Sequence, residues 1–226
     1  MIEPTDREFA RELRNLEERL CAMVGRAAQQ IALAMEALTT QDDELARRVI
    51  EADQIIDKDE NEIDGLTMGI LMARHQVASD LRFVTMALKF VVDIERIADL
   101  ATNIAQRSLE LNRLAAPDWR GDLTQLATLV EKNLHLVLDS FVRRDLDAAY
   151  AVIKADQEID RLNSSLHALL IAHVATDAAT VTRVLPLSAI SRYLERMGDH
   201  VKNLAEEVIF MVSADDVRHR LASPAN

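Results

Sequence analysis

Ala52-Asp53-Gln54-Ile55-Ile56-Asp57 returns as Ala155-Asp156-Gln157-Glu158-Ile159-Asp160, 103 residues further along a chain of 226. Glu95-Arg96-Ile97-Ala98-Asp99 returns as Glu195-Arg196-Met197-Gly198-Asp199, 100 residues further, and the match continues through Asn103/Asn203 and Ala105/Ala205. Two offsets that differ by three residues, about the slack of one loop, point to a duplicated unit.

Working outward, each copy reads as three helices. Leu13, Leu16, Leu20, Met23, Ala27, Ile31, Ala34 and Leu38 recur at spacings of three and four, the apolar stripe of a first helix. Thr5-x-x-Glu8 reads as the capping box that opens it. Thr39-Thr40-Gln41-Asp42 ends that stripe and offers caps for a second helix carrying Leu45, Val49, Ala52, Ile56, Ile63, Leu66 and Ile70. A third opens near Ser79-Asp80 and turns Phe83, Ala87, Phe90, Ile94, Ile97, Ala101 and Ile104 inward. Pro117-Asp118 is the clearest break in the chain. Leu126, Leu129, Leu134, Val137 and Phe141 mark a fourth helix, Arg143-Arg144-Asp145 parts it from a fifth, and the region of Thr176-Asp177 parts that from a sixth. Pro186 falls inside the sixth, where a kink is expected. The fold expected is all-α: two tandem, internally repeated three-helix bundles packed side by side. Residues 1–115 form the first, 117–215 the second, and 216–226 a tail whose end, Ala222-Ser223-Pro224-Ala225-Asn226, is expected to be disordered.

Composition agrees with helices. Glycine (5) and proline (4) are scarce, aromatics make up 4%, and the apolar share of 49% is enough to bury a core. A net charge of −12 argues against a nucleic-acid ligand, which needs a basic surface, and suits bound cations or basic partners. The polar N-terminus MIEPTDREFARELR is unlike a secretory signal, and no run of about 18 apolar residues exists to cross a membrane. The one cysteine, Cys21, sits in an apolar helical pattern and reads as a buried structural thiol in a reducing compartment. A cytoplasmic protein is expected.

The chemistry, if any, lies in the repeated acids. Asp53/Asp57 and Glu95/Asp99 in the first unit, and Asp156/Asp160 and Glu195/Asp199 in the second, are spaced i, i+4, which stacks both carboxylates of a pair on one helix face. With 38 acids, roughly six such pairs arise by chance, but their recurrence at matching places does not. Asp53, Asp57 and Asp64 each follow a core-facing residue, as do Glu95 and Glu195. In antiparallel neighbours those flanks face one groove, so up to four carboxylates can converge in each unit and must be neutralised. Arg96 and Arg196 could do so as surface ion pairs. A metal held by oxygen ligands, such as Mg²⁺, Mn²⁺ or Fe, is the other reading. Asn103 and Asn203 could orient a ligand or bridge helices, and Gly198 either leaves backbone open between acids or allows close packing.

At these residues the sequence resembles the PhoU family: Ser79-Asp80-Leu81-Arg82-Phe83 leading to Asp93-Ile94-Glu95-Arg96-Ile97-Ala98-Asp99 is similar to its first signature. Glu195-Arg196-Met197-Gly198-Asp199-His200-Val201-Lys202-Asn203-Leu204-Ala205-Glu206-Glu207 is similar to its second. The resemblance implies paired three-helix bundles assembled as a homodimer. It also implies metal ions or metal clusters (Mg, Mn, Fe or Zn) at Asp53, Asp57, Glu95, Asp99, Asp156, Asp160, Glu195 and Asp199. It implies a non-enzymatic adaptor between the ATPase subunit of a phosphate ABC transporter and a PhoR-type sensor histidine kinase, repressing the phosphate-starvation response. Ala98 and Leu100 stand where the second copy has Gly198 and His200, so the two sites are expected to be unequal.

Other classes fare worse. A di-iron oxidase needs Glu-x-x-His pairs, and none of the six histidines has a glutamate three residues before it. Histidine phosphotransfer would fall to His200, expected to be exposed beside Asp199, but the first copy has no counterpart. A purely structural spacer leaves the matched acids unexplained. No nucleophile–base set, phosphate loop or zinc spacing appears.

Overall fold

A computed structural model describes residues 4–72, 78–114 and 120–217. They form six long helices and one short turn: α1 (Pro4–Thr40), α2 (Asp43–Met72), α3 (Ala78–Leu111), α4 (Arg120–Arg143), α5 (Leu146–Thr176), a 3-10 turn (Ala178–Thr180) and α6 (Val181–Ser213). The break at Pro117-Asp118 and the C-terminal tail lie outside the described residues.

Local chemistry sets the helix ends. Gln41, with φ 59°, turns the chain out of α1, and Asp42 then caps α2, its carboxylate accepting from the backbone N–H groups of Glu44 and Leu45 (both 2.9 Å). The same device returns one repeat later, where Arg144 has φ 55° and Asp145 accepts from Ala148 N at 3.1 Å. One expectation is corrected. The first helix is already under way at Pro4, so Thr5 lies within its first turn and does not open it; proline suits that turn because its missing N–H has no acceptor there. The break expected around Thr176-Asp177 holds: α5 ends at Thr176, Asp177 caps the 3-10 turn through Ala179 N (3.0 Å), and α6 begins at Val181. The Asp64-Gly65 dipeptide, a hairpin signal in isolation, is carried straight through α2. Likewise α6 runs on through Pro186.

Cross-helix contacts give the topology. Arg19–Glu62 and Arg26–Asp59 set α1 antiparallel to α2, and Asp43–Asn112 and Asp53–Thr102 set α2 antiparallel to α3. Asp156–Lys202, Asn163–Ser191 and His167–Ser188 do the same for α5 and α6. Within each half the three helices pack on one another, and between halves α3 packs on α6 and α1 on α4. Helices α1, α3, α6 and α4 therefore form a closed ring, with α2 lying outside the α1–α3 edge and α5 outside the α4–α6 edge. Burial follows that placement. Helix α3 buries 16 of its 34 residues, whereas outer α2 buries 7 of 30, chiefly the stripe Val49, Ile56, Ile63 and Ile70. The core is one cluster continuous through both halves. Because α3 and α6 are each covered on three sides, their remaining exposed stripes share one face of the molecule.

Candidate functional site

The first acidic groove lies between α2 and α3. Thr102 donates its hydroxyl to Asp53 Oδ1 at 3.1 Å. Burial pushes the Asp53 carboxyl up, and Asp99 and Asp57 push the same way against that hydrogen bond. The side chain of Glu95 is 14% exposed, and burial, with Asp99, Glu60 and Asp57 nearby, lifts its carboxyl to about 7. Arg96 pairs with Glu95 at 3.3 Å and with Asp99 at 3.2 Å, yet does not cancel that rise. The surface ion pairs expected of Arg96 are thus present. Glu60, also pushed up by burial and by Asp64 and Asp57, joins the groove. Comparison of the repeats misses it because its counterpart is Asn163.

The second groove, between α5 and α6, has the same plan. Asp156 is 4% exposed; its Oδ2 accepts from the Lys202 ammonium at 2.9 Å, and its Oδ1 is buried with no hydrogen-bond partner. Gly198 faces that atom: a Cβ there would stand 3.4 Å from Asp156 Oδ1 and 3.0 Å from Ile159 Cδ1. The close-packing reading of Gly198 therefore holds: Ile159 and Asp156 fill the space that a side chain would need. Burial pushes the carboxyls of Asp160, Glu195 and Asp199 up. Neighbouring acids add to it: Asp156 acts on Asp160, Asp199 and Asp160 on Glu195, and Asp156 on Asp199. The eight carboxylates thus gather as two sets of four, near enough within each set to repel one another.

Their donors are all carboxylate oxygens, the set taken by hard or borderline cations. The buried, unpartnered Asp156 oxygen fits a cation too. As the side chains stand, no three His, Cys, Asp or Glu among the described residues are disposed around one metal position.

A polar seam joins the halves. His200 Nδ1 meets Asp93 Oδ1 at 2.7 Å, Asn203 donates to the same oxygen at 3.2 Å, and Lys89 meets both Glu207 carboxylate oxygens at 3.2 and 3.3 Å. His200 is therefore half-buried and engaged with α3, where the sequence suggested an exposed ring. Asn203 bridges helices as expected, whereas Asn103 donates to the Asp99 carbonyl of its own helix. Cys21 is half-buried, and burial and Glu17 push its thiol up, away from reactivity.

The PhoU domain of known protein families matches residues 20–108 and 123–208, one segment on each repeat. The chain belongs to the PhoU family. It is 36% identical over 213 residues to the phosphate-specific transport system accessory protein PhoU homolog of Pseudomonas aeruginosa, covering 94% of this chain and 88% of that one. To the phosphate-specific transport system accessory protein PhoU of Escherichia coli K12 it is 32% identical over 212 residues, with the same coverage. The crystal structure of PhoU from Pseudomonas aeruginosa superposes with a TM-score of 0.89 at 35% identity, over 92% of this chain and 100% of that one. The phosphate transport system regulatory protein PhoU from Streptococcus pneumoniae superposes at 0.85 with 26% identity, over 92% and 99%.

The Glu95 environment makes a testable statement about this PhoU-family chain. A carboxyl at about 7 when folded and at its ordinary 4.5 when unfolded binds its proton more tightly in the folded state. Folding is therefore favoured below pH 4.5, and that advantage is lost as pH rises through 7. Urea unfolding of metal-free protein should show wild type losing roughly 1–3 kcal/mol relative to Glu95→Gln across this window. Parallel pH profiles for the two proteins would refute it.

Proposed function

We propose that this protein is an accessory of a phosphate-specific transport system that restrains the phosphate-starvation response and phosphate uptake. In this reading it acts by binding and not by catalysis. It works in the cytoplasm as a homodimer, between the transporter's ATPase subunit and a PhoR-type sensor histidine kinase. The observation that carries the proposal is a PhoU likeness over nearly the whole chain, with all four acidic pairs kept in their two grooves. The relatives' names tie them to phosphate-specific transport, and no described helix is long and apolar enough to cross a membrane.

The grooves are proposed as metal sites, with Asp53, Asp57, Glu95 and Asp99 holding one cation and Asp156, Asp160, Glu195 and Asp199 the other. The metal, of the Mg, Mn, Fe or Zn kind, would supply charge neutralisation. The chain's own acids supply the oxygen donors, and the antiparallel helix pairs hold them in place.

The test is a phosphate-starvation reporter, such as alkaline phosphatase, in cells lacking this gene and grown in abundant phosphate. High activity that the wild-type gene returns to low is the expected result. A reporter that stays low in the deletion would defeat the signalling role and favour an accessory of a different phosphate permease.

A further inference from the structure

The two acidic grooves share a plan but not a countercharge. Thr102 on α3 and Lys202 on α6 occupy the same repeat position, 100 residues apart. Each reaches the first aspartate of the neighbouring helix: Thr102 Oγ1 lies 3.1 Å from Asp53, and Lys202 Nζ lies 2.9 Å from Asp156. A hydroxyl offers a dipole and leaves the carboxylate's charge in place, whereas an ammonium cancels one full charge. The second groove needs that charge more, because the Asp156 side chain is 6% exposed. In the first groove the cation available is Arg96. Its side chain is 53% exposed on the outer surface, so its charge is largely screened by water.

We propose that Lys202 is a built-in cation that takes the electrostatic place of a metal in the second groove, so that a divalent cation binds the first groove in preference to the second. This rests on the metal reading given above and adds to it an order of filling. The mechanism is direct. An ion entering the second groove meets a fixed positive charge already seated on the most buried ligand, and must displace it or share Asp156 with it. Asp156 Oδ1 has no hydrogen-bond partner, so one oxygen of that carboxylate stays uncommitted, and the second site is weakened and not abolished. In the first groove the entering ion displaces only a neutral hydroxyl from Asp53 and an exposed arginine that can swing into water.

The experiment is titration of the metal-free full-length chain with Mn²⁺, free ion being followed by electron paramagnetic resonance. Wild type, Lys202→Thr and Thr102→Lys are compared after circular dichroism has verified the fold of each. Wild type should bind one Mn²⁺ at least tenfold more tightly than any second ion. Lys202→Thr should bring a second ion to comparable affinity, and Thr102→Lys should weaken the first at least tenfold. Thr102→Lys keeps the test open should loss of Lys202 impair folding. Two equal sites in wild type, or affinities unmoved by either substitution, would overturn the role of Lys202 while leaving the metal reading intact. Absence of Mn²⁺ binding in all three proteins would overturn both.

Discussion

Phe141→Ala is expected to destabilise the protein by about 3–5 kcal/mol, read as a lower denaturation midpoint at unchanged slope. Phe141 is 1% exposed on α4, its ring 5.1 Å from that of Phe90 and 6.2 Å from that of Phe83, both on α3. Helices α3 and α4 are not neighbours in the ring; they face one another across its diagonal, and these aromatic rings span the gap. Truncation would open a void at the centre of the shared core, where the surrounding helices are held on every side and cannot collapse into it. It would also remove two stacked contacts, each adding about 0.5–1.5 kcal/mol beyond burial. Phe141→Leu, which keeps most of the volume, should recover most of the loss. A cost under about 1 kcal/mol for the alanine variant would mean that the halves are not joined through this cluster.

Lys89→Met should cost about 2–3 kcal/mol, less than the 3–5 of a fully buried pair because the lysine is half in water. Its ammonium meets both oxygens of Glu207 and lies 5.6 Å from the centre of the Phe210 ring. The Glu207 side chain is only 5% exposed, so losing the ammonium takes two charge-assisted contacts from a buried carboxylate. Adding Glu207→Gln to Lys89→Met should restore much of the stability, since a neutral amide is cheaper to keep in that place. A double variant no more stable than the single one would show that the loss does not come from leaving the Glu207 charge behind.

The helices and grooves were legible because both are written twice. Apolar stripes marked the first four helices, breaks and the repeat itself marked the fifth and sixth, and the doubled Asp53/Asp156 and Glu95/Glu195 motifs pointed to both grooves. What escaped is what the duplication does not copy. The seam between halves pairs unlike residues: Asp93 meets His200, while their repeat partners are Tyr193 and Leu100, so comparing the copies discards them as noise. Thr102 and Lys202 escaped likewise, being dissimilar in type although alike in place. Glu60 went unseen because it enters the groove from the turn after Asp57, without a partner in the second copy. The Thr5 box failed for a different reason. A cap pattern near a chain start competes with a proline already suited to the first turn, and local sequence does not say which prevails.

The ring of α1, α3, α6 and α4 draws two helices from each half, so its interior belongs to neither. Two such halves on separate chains would meet as a pseudo-symmetric pair, and their union would fade on dilution. Carried on one chain, the encounter becomes intramolecular and no longer depends on how dilute the protein is. Both acidic grooves are then present together on every molecule, however few copies a cell holds.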